Sequence, residues 1–221
     1  MRVLMTRHSG GYEHAYLPHA EVALKRLGRR SGVFEAVTTA RSALITAERL
    51  ADVDVVVLAT SGDPGWSDEQ KSAFMEAVRG GMGVVGIHNA TTTYGDWPEF
   101  VEMIGGRFIG HPWCQEFTVR VEDTAHPAVA MLGECFRVRD EIYVHDDWDR
   151  SRTHVLLSLQ NESVDMSRGP REDGDYALGW CHTWGRGRVI YSGFGHFEDL
   201  WEEPWYLEHL LGCIRWAARL A

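Results

Sequence analysis

Residues 86–90 read Gly-Ile-His-Asn-Ala and place a histidine between two small residues, directly after an apolar stretch. In strand–turn–helix elbows, this pattern presents the middle side chain to a crevice, and its neighbours are small because the turn is tight. A nucleophile normally occupies that position. An imidazole there, His88, predicts a metal ligand or a general base. The alternative is a buried histidine that is hydrogen-bonded to a neighbouring loop.

Three other histidines are candidates for the same chemistry. His14 follows the first apolar stretch, His111 lies in a Gly-His-Pro segment, and His196 ends a later apolar stretch. Neutral imidazoles bind zinc well, and three protein ligands with one water form an open catalytic site. We therefore predict that His88, His111 and His196 hold a divalent metal, with zinc as the first choice, or act without a metal as acid and base. The alternative for His111 is a turn residue, because the following proline restricts its backbone.

Acidic residues could supply a proton acceptor beside these histidines. Asp140 and Glu141 begin the segment DEIYVH, and adjacent residues on a strand point to opposite faces. Only one of them can enter a shared site, so we assign Glu141 to catalysis, with His88 and His196, and Asp140 to a structural turn. Asp63 follows another apolar stretch and is predicted to bind a sugar hydroxyl or to orient a histidine. Its alternative role is to cap its own turn.

Several polar and aromatic residues are candidates for binding a sugar. Trp113 is the best candidate for stacking, because the apolar face of a pyranose lies flat on an indole ring. Arg186 lies in the turn Trp-Gly-Arg-Gly, where it would bind an anionic or polyhydroxyl ligand, and the alternative is a solvated turn residue. The remaining predicted substrate-binding residues are Tyr12, His14, Asn89 and Thr91, together with Asp63.

The periodicity of apolar residues predicts the elements that position these side chains. Strands are predicted at residues 2–6, 33–38, 53–59 and 82–87, and helices at residues 17–27, 46–50, 68–79 and 97–104. Strands that alternate with helices indicate a doubly wound, mostly parallel sheet flanked by helices. Ligands bind beyond the carboxyl ends of such strands, so the loops after residues 6, 59 and 87 should share one crevice.

The spacing of apolar residues along the chain changes after residue 107. Alternating stretches at residues 117–123, 135–145 and 154–160 predict antiparallel strands, added to the sheet or lying beside it. Residues 177–194 predict a hairpin, and the chain from residue 204 onwards predicts a closing helix. With 221 residues and 44% hydrophobic content, we expect a single α/β domain over residues 1–221.

The charge and composition exclude several classes of partner. The formal net charge is −10 without a run of Lys and Arg, so nucleic acid and anionic membrane surfaces are not expected partners. No segment approaches about 18 apolar residues, so a membrane span is not expected either. The four cysteines form no CxxC pair, which predicts a cytoplasmic location without disulfides. Trp201, Trp205 and Trp216 are typical of a homo-oligomer interface or, equally, of a packed closing helix.

The motifs, taken in order, resemble those of the ThuA-like (trehalose utilisation) family, which is related in fold to class I glutamine amidotransferases. The matching segments include YEH at residues 12–14, GGMGVVGIHNATTT at 80–93, IGGRFIGHP at 104–112, DEIYVH at 140–145 and LGWCHTWGRGRVIYSGFGH at 178–196. The resemblance implies a flavodoxin-like α/β fold and an association with sugar metabolism. Because related proteins are linked to keto-glycosides, it also implies an oxidised sugar as the substrate class.

One departure from the amidotransferases removes their chemistry. Those enzymes carry a cysteine at the elbow, because a thiolate is needed to form the glutamyl thioester. This chain has His88 there, and none of its four cysteines lies near that position in the sequence. Glutaminase activity is therefore not expected, despite the related fold.

Two functions of different kinds remain open. The first is an enzyme that acts on a sugar or keto-glycoside by isomerisation, cleavage or hydrolysis, with histidine-based or metal-assisted chemistry. A ketone acidifies the adjacent C–H group, and His88 or His196 would take the proton. The second is a non-catalytic sugar-binding or sensing module. We favour the enzyme, because more polar groups are predicted to converge than a simple binder needs.

Overall fold

The computed structural model describes residues 1–220 as one sheet of nine strands flanked by helices. The strands are β1 (Arg2–Thr6), β2 (Glu35–Thr39), β3 (Val55–Leu58), β4 (Gly83–Ile87), β5 (Arg107–Val121), β6 (Cys135–Asp146), β7 (His154–Leu159), β8 (Ala177–Trp184) and β9 (Gly187–Ser192). The helices are α1 (Leu17–Ser31), α2 (Ala47–Leu50), α3 (Asp68–Gly80), α4 (Pro98–Ile104) and α5 (Pro204–Ala217). None of the helices within this range has the length and apolar character that crossing a bilayer requires.

The sheet has the order β2-β1-β3-β4-β9-β8-β7-β5-β6. The pairings from β2 to β9 are parallel, and those from β9 to β6 are antiparallel. The parallel end is the doubly wound α/β arrangement that the sequence predicted. The sequence left open whether the antiparallel strands are added to this sheet or lie beside it. They are added to it.

Alternating side chains along the parallel strands divide the core into two layers. Val3 and Met5 of β1 pack with α1 and α5 on one face, whereas Leu4 packs with α3 and α4 on the other. This division follows from the strand period of two. Helices cover both faces of the sheet, so β3 is buried at every position. Its sequence, Val-Val-Val-Leu, is accordingly apolar throughout.

Helix boundaries follow the local caps rather than the first glycine. The predicted end of α1 near Leu27 was wrong, since the helix continues through Gly28 and ends at Gly32, which has φ 65°. Gly28 is needed for packing, because a Cβ there would lie 2.6 Å from the Phe34 carbonyl oxygen. The predicted cap of α3 is confirmed: Ser67 and Gln70 exchange side-chain and backbone hydrogen bonds as a capping box.

The antiparallel hairpin of β5 and β6 departs most from the prediction. β5 begins at Arg107, so the Gly-His-Pro segment belongs to a strand and not to a turn. The register shifts between Phe108 and Gly110 and again between Gly110 and Trp113, which absorbs the proline. Only the far end of β5 pairs with β7, and its first half therefore carries side chains to the carboxyl ends of the parallel strands.

Candidate active site

The elbow after β4 has a tight and strained backbone. His88 has φ 38°, a left-handed conformation that costs a non-glycine residue about 1–3 kcal/mol. The small residues around it are required by packing, because a Cβ on Gly86 would lie 3.2 Å from Ala90 Cβ and 2.6 Å from Ile104 Cδ1. A strained backbone at this position indicates that the orientation of the His88 side chain is what the turn preserves.

The tautomer of His88 follows from its hydrogen bonds. Its Nδ1 lies 2.9 Å from the Gly193 carbonyl oxygen, which can only accept, so Nδ1 carries the proton. Its Nε2 faces His196 Nδ1 at 3.2 Å and Glu141 Oε2 at 3.5 Å. A metal-binding histidine usually donates one ring N–H to a group such as this carbonyl, and its other ring nitrogen is the ligand.

His196 and Glu141 complete this side of the site. His196 Nδ1 lies 3.2 Å from Glu141 Oε2, and this hydrogen bond raises the pKa of His196. Burial raises the pKa of Glu141, but the hydrogen bonds and charges of His196 and His88 outweigh it, so its pKa lies below the usual range. Glu141 is therefore an ionised carboxylate at neutral pH. His88 and His196 both lie beside its Oε2.

His14 approaches the group from the loop after β1. Its Nδ1 lies 3.3 Å from the Asn89 side-chain nitrogen, and the Asn89 oxygen accepts a 2.6 Å hydrogen bond from Tyr16. Its Nε2 lies 3.3 Å from the Tyr143 hydroxyl. Burial, followed by the charges of His88 and His196, lowers the pKa of His14 to about 4, so the imidazole is neutral at pH 7.

The donor set fits a divalent metal. His14, His88, Glu141 and His196 each offer one ligand atom, and these atoms all lie within 4.8 Å of one another. Ligand atoms around tetrahedral zinc are about 3.3 Å apart, given metal–ligand distances of about 2.0–2.1 Å. The measured separations among His88, His196 and Glu141 are 3.2, 3.5 and 3.2 Å. Neutral imidazoles and one carboxylate are also the ligand types that zinc prefers.

The composition of this group differs from the ligand set that the sequence suggested. His111 is outside it: its Nδ1 lies 3.1 Å from Glu141 Oε1, the oxygen that faces away from His88, and its side chain is 51% exposed. His14 and Glu141, which the sequence suggested for substrate binding and catalysis, are within the group instead. The spacing of residues along the chain did not identify His14 as a ligand. The position of its side chain depends on how the loop after β1 folds against the rest of the site.

Asp140 supports the site from inside the protein. It is fully buried within β6 and not in a turn, and its carboxylate accepts hydrogen bonds from the backbone N–H groups of Gly195, His196 and Glu141 at 2.8, 3.2 and 2.9 Å. Burial raises the pKa of this carboxyl. The side chains of Asp140 and Glu141 thus point to opposite faces of β6, as strand alternation predicted: Glu141 faces the site, and Asp140 faces backbone N–H groups.

A second polar layer lies beneath the elbow. The Thr91 hydroxyl is 3.1 Å from His145 Nε2, and the Tyr191 hydroxyl donates a 2.7 Å hydrogen bond to the His88 carbonyl oxygen. Burial lowers the pKa of His145 to about 3, so this imidazole stays neutral. Thr91 is itself buried, so its geometry supports the elbow and does not reach a substrate.

Tyr143 and His145 carry a sequence signal that links them to Glu141. The three residues are two positions apart on β6 and therefore share one face. The Tyr143 ring lies 4.1 Å from the ring of His88, and its hydroxyl contacts His14. The sequence-based predictions missed both residues, although alternation places them beside Glu141 once that residue is assigned to the site.

Three predicted sugar-binding residues lie elsewhere. Trp113 is 0% exposed in the core, with its indole N–H donating to the Asp165 carbonyl oxygen, so neither ring face is available. Arg186 is in the turn between β8 and β9 and donates to the Gly80 carbonyl oxygen, at the opposite end of the sheet. Asp63 is exposed and accepts from the Gly65 N–H, which is the turn-capping alternative.

A cleft of about 580 Å³ opens above the four-residue group. His14, Glu141 and His196 reach it from the floor, whereas His88 is completely buried beneath them. Tyr12 stands at the mouth with 71% of its surface exposed. A ligand in the cleft would therefore meet one carboxylate and three histidines, since His111 also lines it, with His88 accessible only from within the group.

The fold places the chain among class I glutamine amidotransferase-like α/β proteins. It is similar to a structure from Thermoplasma acidophilum that is described as a GMP synthase protein, with a TM-score of 0.56, 14% identity, and coverage of 99% of this chain and 94% of that one. A likeness at this identity shows the fold alone, and His88 at the elbow separates this site from one that uses a cysteine.

The family is narrower than the fold class. The ThuA family model, described as trehalose utilisation, matches residues 2–217, so the chain belongs to the ThuA family. It is similar to ThuA-like proteins from Bacteroides uniformis (TM-score 0.79, 23% identity, 98% of this chain and 91% of that one) and Parabacteroides merdae (TM-score 0.78, 20% identity, 99% and 90%). The comparison with curated proteins gives no match.

Proposed function

We propose that this ThuA-family protein is an enzyme of carbohydrate metabolism that acts on a sugar or keto-glycoside, with a divalent metal, zinc first, held by His14, His88, Glu141 and His196. The observation that carries the proposal is the position of His88 Nε2. This atom is directed at two other potential ligand atoms, at 3.2 and 3.5 Å, in a side chain that a substrate in the cleft does not touch. A metal ion is small enough to reach this buried nitrogen.

The reaction class follows from the groups that face the cleft. A bound divalent metal supplies Lewis acidity, which polarises a carbonyl or hydroxyl oxygen. Glu141 reaches the cleft with two oxygens: Oε2 lies beside His88 and His196, where the metal would be held, and Oε1 lies 3.1 Å from His111 Nδ1. We assign to Oε1 the acceptance of a proton from a carbon beside a ketone. Isomerisation and elimination of a keto-glycoside both need such a proton transfer.

The first experiment is elemental mass spectrometry of untagged protein that was purified without chelator. We expect about one divalent ion per chain in the wild-type protein and loss of the ion in His88→Ala. His154→Ala is the matched control, because His154 is exposed, its ring bonds Asp123, and it belongs neither to the four-residue group nor to the lining of the cleft. Wild-type protein that stays metal-free after incubation with zinc and with manganese would overturn the metal assignment.

A second experiment separates the enzyme from a binding or sensing module. Keto-glycosides are incubated with metal-loaded protein at high concentration, and products are detected by mass spectrometry. We expect turnover by the wild-type protein and loss of turnover in Glu141→Gln, which keeps the size of the side chain but removes both a carboxylate ligand of the metal and the proton acceptor. Saturable sugar binding without any product would favour the module instead. A cytoplasmic location and a homo-oligomer remain predictions from the sequence.

A further inference from the structure

Two aromatic side chains at the cleft have no role in the four-residue group. Tyr12 is 71% exposed on the loop after β1, and its ring meets the His14 ring edge-on at a centroid distance of 4.8 Å. Phe108 comes from β5 and is half-buried, with its ring 4.3 Å from that of Tyr143 and stacked 5.9 Å from that of His111. Both line the same cleft as Glu141 and His196.

The backbone holds both rings in place although they are partly exposed. The Tyr12 carbonyl oxygen accepts a 2.8 Å hydrogen bond from the Ser61 hydroxyl, which ties the first loop to the loop after β3. Phe108 is paired with His145 in the register of β5 and β6, immediately before the strand irregularity. Aromatic side chains that line a cleft beside a few polar groups are typical of a small-molecule site.

The charge of the cleft restricts what these rings can bind. Among the described residues that line it, none is Lys or Arg, and Glu141 is the carboxylate. The same lining includes the hydroxyl groups of Thr92 and Tyr143. In the protein without a metal, a phosphorylated or carboxylated ligand would find no Lys or Arg in this lining and would lie beside the Glu141 carboxylate, whereas an uncharged polyol could use hydroxyl and carboxylate acceptors.

We propose that Tyr12 and Phe108 form a subsite that binds the ring of a neutral pyranoside. The two aromatic rings would pack against the apolar face of the sugar, and the four-residue group at the floor of the cleft would contact the polar edge of the sugar. This rests on the proposed function and deepens it, and it takes over the stacking role that the sequence suggested for Trp113. A pyranose presents axial C–H groups on one face, and burying them against an aromatic ring is favourable in water. The cleft volume of about 580 Å³ is within the range of small-molecule sites.

The test measures binding of methyl α-D-glucopyranoside and of trehalose by calorimetry and by saturation-transfer NMR. Tyr12→Leu and Phe108→Leu keep apolar bulk but remove the flat ring, and we expect each to weaken binding about ten-fold. Tyr12→Phe keeps the ring and should stay within about two-fold of the wild type. Ile109→Ala is the matched control, since Ile109 is 48% exposed beside Phe108 but does not line the cleft.

The test distinguishes an error in the subsite from an error in the metal assignment, because metal content is measured on the same variants. Unchanged sugar affinity in both leucine variants overturns the subsite and leaves the metal assignment intact. A metal-free wild-type protein whose sugar affinity still falls in those variants overturns the metal assignment and supports the subsite. Failure of the wild-type protein to bind either sugar, or equal affinity for glucose 1-phosphate when both are measured on metal-free protein, also overturns the subsite.

Discussion

The carboxylate of Asp140 joins β6 to the backbone of His196, although the two residues are 56 positions apart in the sequence. The same carboxylate accepts the N–H of Gly195 and of Glu141. Because Asp140 binds the backbone of both Glu141 and His196, the 3.2 Å separation of their side chains depends on this one buried carboxylate. The Gly195 carbonyl oxygen is held separately, by the indole N–H of Trp201.

Asp140→Asn should therefore loosen the site as well as destabilise the fold. An amide nitrogen would face backbone N–H groups, so at least one donor loses its acceptor, at a cost of about 2–3 kcal/mol in the free energy of unfolding. Competition titration with a chromophoric chelator should show zinc affinity lower by about 10-fold or more. Asp165→Asn, at an exposed turn, should change neither quantity. Normal zinc affinity in folded Asp140→Asn would contradict the positioning role.

The strained backbone of His88 predicts an unusual order of stability. With φ 38°, alanine keeps the Cβ that is unfavourable in this region, whereas glycine does not. Urea unfolding should show His88→Gly more stable than His88→Ala by about 1 kcal/mol. At His154, in strand β7, the order should be reversed, since glycine there only adds flexibility. Equal stability of the two His88 variants would mean that the elbow relaxes.

His209 should make folding stability depend on pH. It donates from Nδ1 to the Ala128 carbonyl oxygen at 2.7 Å and accepts from the Ser192 hydroxyl at 3.0 Å, and burial lowers its pKa to about 4. The unfolded chain takes up a proton near pH 6.5 and the folded chain does not, so stability falls as pH falls from about 6.5 to 4.

The size of this effect is about 1.4 kcal/mol per pH unit for one proton. His209→Gln can keep a donor and an acceptor but cannot titrate, so its free energy of unfolding should fall less steeply between pH 7 and pH 5. Urea unfolding at both pH values gives the slopes. Identical slopes for the two proteins would show that folding does not change the pKa of the His209 imidazole.

His111 and His14 should differ in their effect on metal binding. His111 contacts the outer oxygen of Glu141, so His111→Ala should leave metal content unchanged and weaken affinity by about 10-fold at most. His14 offers an atom to the group itself, so His14→Ala should lose most of the bound metal. Elemental analysis after dialysis distinguishes the two variants. Metal loss in His111→Ala alone would restore the ligand set that the sequence suggested.

Local patterns in the sequence determined the elbow and the elements on either side of it. The small residues Gly86 and Ala90 identify the turn because they approach each other across it, although Ile104 and Tyr191, which are distant in the sequence, also limit the space at Gly86. The capping box of α3 and the buried strand β3 are local for the same reason. Alternation along β6 likewise separated Glu141 from Asp140, since it needs only the strand period.

Tertiary structure alone decided which of these side chains meet. His14, His88, Glu141 and His196 come from four loops or strands, and their distances depend on sheet order and on the irregular register of β5 and β6. Trp113 and Arg186 have suitable side chains, but one is enclosed by the core and the other lies at the far end of the sheet. Spacing along a chain carries no information about such contacts, because they are set by how whole elements pack.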